Sequence, residues 1–260
     1  VDVAAPGEQL STPGYDDRAW VGAQVPGTVF GSYVKAGLEK EPTYGDNIAK
    51  VDKAKYDRDF WYRTEFIGPA VGRAGKLWLN FDGVNRDADV YLDGTRVGET
   101  RGFMQRGRFD VTALVRAGRW NGLAVLAHLP RGEANAASPS FICSRGWDWM
   151  PRVPGLNMGV YKDVYLSRTG DISLADPWVR TMLLSRARAD LSVQVEISNS
   201  SAAPVAGVLS GVIRPGGIAF SRVVTLGPGE SRAVTLDAAT FPALRVKNPR
   251  LWWPNGYGDP

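Results

Sequence analysis

The sequence predicts an all-β protein made of two successive sandwiches. Three observations lead there. Short segments alternate apolar and polar residues, turn-forming dipeptides separate them, and nowhere do helical and strand patterns alternate. The last point excludes an α/β barrel or a dinucleotide-binding domain within these residues.

Each element follows from local chemistry. Lys76–Phe81 sets Leu77, Leu79 and Phe81 on one face and Trp78 and Asn80 on the other, the period of a half-buried strand. Asp89–Leu92 and Thr95–Val97 flank Asp93-Gly94, a dipeptide suited to a hairpin turn with positive φ at both central residues. Phe109–Thr112 reads as a strand entering a polar turn. Asn121-Gly122 reads as the turn before a strand at Leu123–Leu129, and Tyr161–Leu166 as a further strand. One short helix is expected over Thr28–Gly37, with Thr28 as its cap. Trp20, Trp61 and Trp78 read as core residues.

Near Thr169–Asp176 the composition changes. Trp, Asp and Arg are dense before it; Val, Ser, Ala and Leu with Gly and Pro turns follow. Strands are predicted at Trp178–Leu184, Asp190–Ser198, Gly207–Ile213, Phe220–Leu226 and Ser231–Leu236. Their even spacing is that of an immunoglobulin-like sandwich. The expected domains are 1–170 and 171–260, the second short of a final strand.

The chain has 260 residues, a formal net charge of +4 and mixed charge signs, with no basic run of the kind that binds nucleic acid. Cys143 is the only cysteine, so no disulfide forms within the chain. His128 is the only histidine, which excludes a histidine metal cluster or a Ser-His-Asp triad built from these residues alone. It lies in an apolar run and reads as structural. No apolar stretch reaches the 18 or so residues of a membrane span. Neither a membrane nor a nucleic-acid partner is expected, no metal or cofactor is expected, and the oligomeric state is left open. Val1–Pro6 lacks the pattern of a signal peptide and reads as a mature or cut end.

Seven segments stand out in order along the chain: Gln24–Val29, Pro42–Asn47, Phe60–Phe66, Phe81–Val84 with Val90–Gly94, Phe109–Thr112, Ser144–Pro151 and Pro249–Gly256. Together they resemble glycoside hydrolase family 2, in its β-mannosidase and exo-β-glucosaminidase branch. The resemblance implies a jelly-roll (galactose-binding-like) sandwich followed by an immunoglobulin-like one. A barrel carrying two catalytic glutamates would follow these in the family. The barrel's acid/base glutamate follows an Asn there, and no Asn-Glu dipeptide occurs here. No catalytic residue is therefore assigned, and this piece alone is expected to be inactive. Its partners would be the terminal sugar of a β-linked glycoside and the catalytic barrel. A secreted or periplasmic location is expected.

Substrate recognition is what the chain itself can supply. Trp147-Asp148-Trp149 offers indole faces for the C–H face of a pyranose and a carboxylate that accepts hydroxyl hydrogens. Arg145 is placed to orient that carboxylate, and Pro151 and Pro154-Gly155 hold the segment as a loop. The resemblance carries a sugar-hydroxyl contact onto Asp148, flanked by Trp147 and Trp149. The alternative for each is structural: Trp147 and Trp149 as core, Asp148 as a turn cap, and Arg145 paired with a neighbouring acid. Asn47, with Asp46, is a further cleft candidate, although a turn role suits both. Met150 replaces a common Gly of the mannosidases and leans toward glucosaminidases. Trp252 and Trp253 are expected to pack against the barrel. Two other readings use the same residues: a stand-alone carbohydrate-binding or adhesion module, and a scaffold for oligomer contacts.

Overall fold

A computed structural model describes residues 3–70, 75–130, 144 and 151–258. The chain divides into two compact units, Val1–Arg168 and Thr169–Pro260. Both are built mainly from antiparallel strands, as the alternating patterns predict.

In the first unit, α1 (Gly7–Leu10), α2 (Val29–Lys35), α3 (Asn47–Lys50) and the 3-10 turn η1 (Lys53–Tyr56) precede the sandwich. The strands are β1 (Phe60–Ile67), β2 (Lys76–Phe81), β3 (Asp87–Leu92), β4 (Thr95–Thr100), β5 (Gly107–Asp110), β6 (Trp120–His128) and β7 (Val164–Thr169), with η2 (Pro154–Asn157) before β7. One sheet runs β1-β6-β3-β4 and the other β5-β2-β7. Leu77, Leu79 and Phe81 of β2 face Ala88, Val90 and Leu92 of β3 and Leu123 and Val125 of β6 across the core. Period-two alternation thus delivers one buried face per sheet.

The turn chemistry holds in detail. Asp93 and Gly94 take φ of 47° and 83° between β3 and β4, as a two-residue hairpin requires. Thr28 caps α2, its Oγ1 accepting from the Gly31 amide at 3.0 Å.

Two expectations need correction. Asn121-Gly122 is not a turn but lies inside β6. Asn121 is fully buried; its Nδ2 donates to the carbonyls of Arg116 (3.1 Å) and Arg119 (2.7 Å), and its Oδ1 accepts from the Arg116 amide at 2.7 Å. The side chain therefore ties down the preceding loop while its own backbone stays in the ladder. Gly122 is needed because a Cβ there would stand 2.4 Å from the Ser11 carbonyl oxygen. Nor do Trp20, Trp61 and Trp78 belong to the buried core: each is half-buried. Trp78 lies on the outer face under the Arg108 guanidinium at 3.9 Å, and Trp61 packs on Tyr91.

The second unit contains β8 (Ile172–Ser185), β9 (Arg188–Asn199), β10 (Val205–Ile213), β11 (Ile218–Leu226), β12 (Ser231–Asp237), the 3-10 turn η3 (Pro242–Leu244) and β13 (Arg245–Lys247). β9 is central: β8 pairs along one side, β12 and β13 along the other, and β10-β11 form a separate hairpin. Val193, Val195 and Ile197 of β9 meet Val224, Leu226, Val234 and Leu236 in its core. Trp178, Val179, Met182 and Leu183 of β8 are exposed, and so is Trp252.

Candidate substrate-facing site

Of the predicted site residues, Arg145, Trp147, Asp148 and Trp149 lie outside the described residues. Asn47 is described, as is the chain on both sides of the Trp-Asp-Trp motif.

That framework starts with the segment before β1. Asn47 opens α3, its Nδ2 donating to the Glu41 carbonyl at 2.9 Å and its amide to the Tyr44 carbonyl at 3.3 Å. Asp46 pairs with Lys50 at 2.6 Å. These bonds close a local turn, the role that Asp and Asn readily play there. Next, Asp52 caps η1 through the Ala54 amide at 3.1 Å. Tyr56 then drives its ring into an aromatic cluster. Its centroid lies 5.4 Å from both Phe30 and Tyr33 and 6.3 Å from Phe60, with only 1% of the residue exposed. Its hydroxyl donates to Glu39 at 3.0 Å. Burial, reinforced by Glu39, pushes its pKa well above the usual tyrosine value, so it stays neutral.

η2 is docked onto this cluster from the other side of the motif. Gly155, Leu156 and Asn157 take φ of 63°, 51° and 58°, a left-handed run that only surrounding contacts hold in place. Asn85 supplies one, donating from Nδ2 to the Asn157 carbonyl at 2.9 Å and to the Leu156 carbonyl at 3.3 Å. The next residues are bonded on both sides. Gly159 exchanges backbone hydrogen bonds with Asn85 at 2.9 and 3.0 Å, while Met158 and Val160 accept from Val29 and Gly27 at 2.8 Å each. The Val-Pro-Gly-Thr-Val segment is thus a structural brace for Met158–Val160.

Ion pairs complete the frame. Arg152 Nη2 donates to Asp57 Oδ1 at 2.8 Å. His128 sits between two carboxylates, with Nδ1 3.0 Å from Asp59 Oδ2 and Nε2 2.9 Å from Asp89 Oδ2. Burial alone would lower the His128 pKa, but hydrogen bonds to Asp59 and Asp89 outweigh it and the net shift is upward. For Asp89, burial pulls upward and is overcome by Arg96 and then His128, so its pKa falls. A cavity of 260 Å³ opens beside this group, bordered by Trp20, Tyr33, Arg58, Asp59, Phe60 and Trp61.

Sequence reading took His128 as structural but missed its carboxylate partners, and missed the roles of Asp57 and Asp59. The available signal was charge at strand ends, with Asp59 just before β1 and His128 closing β6, but nothing local shows that they meet. Among the described residues no group of three or more His, Cys, Asp or Glu is arranged to hold a metal ion. No helix among them is long and apolar enough to cross a membrane.

Residues 8–162 match the family model described as the glycosyl hydrolase 2 galactose-binding domain-like domain, and residues 172–260 match that of glycosyl hydrolases family 2. The chain belongs to glycoside hydrolase family 2. It is 33% identical to an exo-β-D-glucosaminidase of Streptomyces avermitilis over 98% of this chain and 28% of that protein. Against a mannosylglycoprotein endo-β-mannosidase of Lilium longiflorum it is 27% identical over 97% of this chain and 29% of the relative. Its fold is similar to the crystal structure of the Amycolatopsis orientalis exo-chitosanase CsxA, with a TM-score of 0.82, 27% identity, and coverage of 98% of this chain and 29% of that one. The chain therefore spans less than a third of these relatives' length. What it shares with them is their two β-sandwich domains, in line with the jelly-roll and immunoglobulin-like architecture that the motifs imply.

Proposed function

We propose that this chain is the accessory, sugar-binding and scaffolding part of a retaining exo-β-glycosidase that removes terminal β-linked sugars, with a glucosaminide favoured over a mannoside. One observation carries the reading: near-complete coverage of this chain by an exo-β-D-glucosaminidase of which it spans only 28%. Met150, which stands where mannosidases commonly have Gly, points the same way. The two carboxylates of a retaining mechanism, about 5–5.5 Å apart, would reside in the barrel. On this reading Asp148 accepts hydroxyl hydrogens of the terminal sugar, Trp147 and Trp149 offer it apolar faces, and Arg145 orients the carboxylate. Asn47 lines the same subsite through its Oδ1, its Nδ2 being engaged in the turn. An exported location belongs to the same proposal, and cell fractionation tests it.

The test is Asp148→Ala in the complete enzyme, assayed on aryl β-glucosaminide and β-mannoside. A hydroxyl contact made in the transition state predicts a loss in kcat/KM of at least a hundredfold, about 3 kcal/mol. A change within threefold removes Asp148 from the site. Calorimetry of the 260-residue chain with glucosamine oligomers tests the accessory role. Weak or no heat is expected, and tight binding would favour a self-sufficient carbohydrate-binding module.

A further inference from the structure

We propose that Asp57-Arg58-Asp59 is a clamp that secures the chain on both sides of residues 131–150, and that His128 works in it as an imidazolium hydrogen-bonded at both nitrogens. The first jaw is Asp57, whose Oδ1 accepts from Arg152 Nη2 at 2.8 Å, just after the span. The second is Asp59, whose Oδ1 accepts from the Leu129 amide at 2.9 Å and whose Oδ2 faces His128 Nδ1 at 3.0 Å, just before it. Two carboxylates at alternate positions, at the root of β1, thus grip both ends of a long connection.

The protonation state follows from the donor inventory. An ionised carboxylate only accepts, and a neutral imidazole carries a single N–H. With carboxylate oxygens 3.0 Å and 2.9 Å from its two nitrogens, a neutral His128 would turn a lone pair toward one of them. The surroundings keep Asp89 ionised. Its Oδ1 accepts from Arg96 at 2.5 Å, and Arg96 also binds Glu99 at 2.8 Å. The charged groups facing His128 are Asp59 ahead of β1, Asp87 and Asp89 on β3, and, through Asp89, Arg96 and Glu99 on β4; Asp87 lies opposite His128 in the ladder. Arg101, just past β4, pairs with Glu99 at 2.8 Å and stands 3.8 Å from Asp87, and Arg58 adjoins Asp59. With 29% of the His128 side chain exposed, its electrostatics are only partly screened. These are positioning residues. Their bearing on substrate rests on the sugar-binding reading, because the clamped span contains Arg145, Trp147, Asp148 and Trp149.

Because His128 is the only histidine, its imidazole signals in NMR of the 260-residue chain are unambiguous. It is expected to titrate above the ordinary value of 6.5, and Asp59→Asn and Asp89→Asn should each bring the titration down. Hydrogen exchange gives the second readout. Exchange in peptides containing Leu129, corrected for intrinsic pH dependence, should rise severalfold above that titration in the wild type. In Asp57→Asn it should rise near Arg152 at every pH, and the exchanged pair Asp57→Arg with Arg152→Asp should restore protection. A His128 that titrates at or below 6.5 overturns the proposal. So does exchange at Leu129 that responds to neither pH nor Asp59→Asn in a variant with native circular dichroism. Both readouts are independent of sugar binding, so failure of the sugar reading, seen as an inert Asp148→Ala, is separable from failure of the clamp.

Discussion

Arg63 shows how one side chain organises a region. Its guanidinium donates from Nε to the Leu10 carbonyl at 2.8 Å, from Nη2 to the Thr12 carbonyl at 2.9 Å, and from Nη1 to Asp17 at 2.6 Å, and it also pairs with Glu65. Only 3% of the side chain is exposed. A planar fork with five donors suits this role, and lysine could not reach all four partners. Arg63→Ala would orphan two carbonyls and leave Asp17 and Glu65 without their shared cation. We expect a loss of about 2–4 kcal/mol, measured by urea denaturation, with Arg63→Lys recovering less than half. A change below about 0.5 kcal/mol would show that the amino-terminal segment is held by other contacts. The motif containing Arg63 is visible in the sequence, but its four partners are not, because the two carbonyls belong to residues more than 50 positions away.

Glycine positions separate local from tertiary causes at the level of elements. Gly118 has φ of +68°, and a Cβ added there would meet nothing within 4 Å. Gly159 has φ of +151°, and its Cβ would stand 2.7 Å from both the Gly27 carbonyl oxygen and the Thr28 Cα. Gly118→Ala should cost about 1 kcal/mol through backbone conformation alone. Gly159→Ala must also push the brace at Gly27–Thr28 off the strand-like segment Met158–Val160, and on the order of 3 kcal/mol or more is expected. Thermal unfolding of the two variants decides the matter: equal losses would mean that the brace yields without cost. The same contrast explains which elements are legible. β2, the β3–β4 hairpin and the capped helix α2 carry their signals within a few residues. The sequence pattern predicts β8 only over Trp178–Leu184, although the strand begins at Ile172. Its opening Ser173-Leu174-Ala175-Asp176-Pro177 has no sustained alternation to read, and its pairing with β9 extends it. For η2, Pro154-Gly155 signals a loop, but nothing local foretells positive φ at Leu156, where Asn85 holds the backbone.

Ionisation acts at the scale of the whole molecule. Arg101 and then Arg96 hold the Glu99 pKa down to about 2. Arg63 lowers Glu65 against a smaller opposing effect of burial. Burial would raise Asp110, yet Lys76 and Thr112 outweigh it and the net shift is down. A depressed carboxylate stabilises the fold above its unfolded pKa, near 4, and loses that contribution as pH falls toward the folded value. His128 has the opposite sign. Its raised pKa contributes fully below the ordinary 6.5 and is lost as pH rises through the folded value. Stability should therefore peak between about pH 4.5 and 6.5. A urea midpoint measured across the acid and alkaline sides of that window tests this, and His128→Gln should flatten the alkaline side while leaving the acid side in place. A midpoint that climbs steadily from about pH 5 to 9 would contradict the sign assigned to His128.

By itself the sequence determined the strand register faces, the hairpin at Asp93-Gly94, the cap at Thr28 and the family, because each depends on spacing or on residues adjacent in the chain. Tertiary structure alone decided that Asn121 ties down a loop from within a strand, that three tryptophans line surfaces instead of the core, and that Asp57, Asp59 and His128 gather at the ends of residues 131–150. The physical reason is range. Periodicity and turn propensity act over a few bonds, whereas a hydrogen bond between Asp59 and His128 joins residues 69 positions apart and exists only once the sheet has aligned β1 with β6.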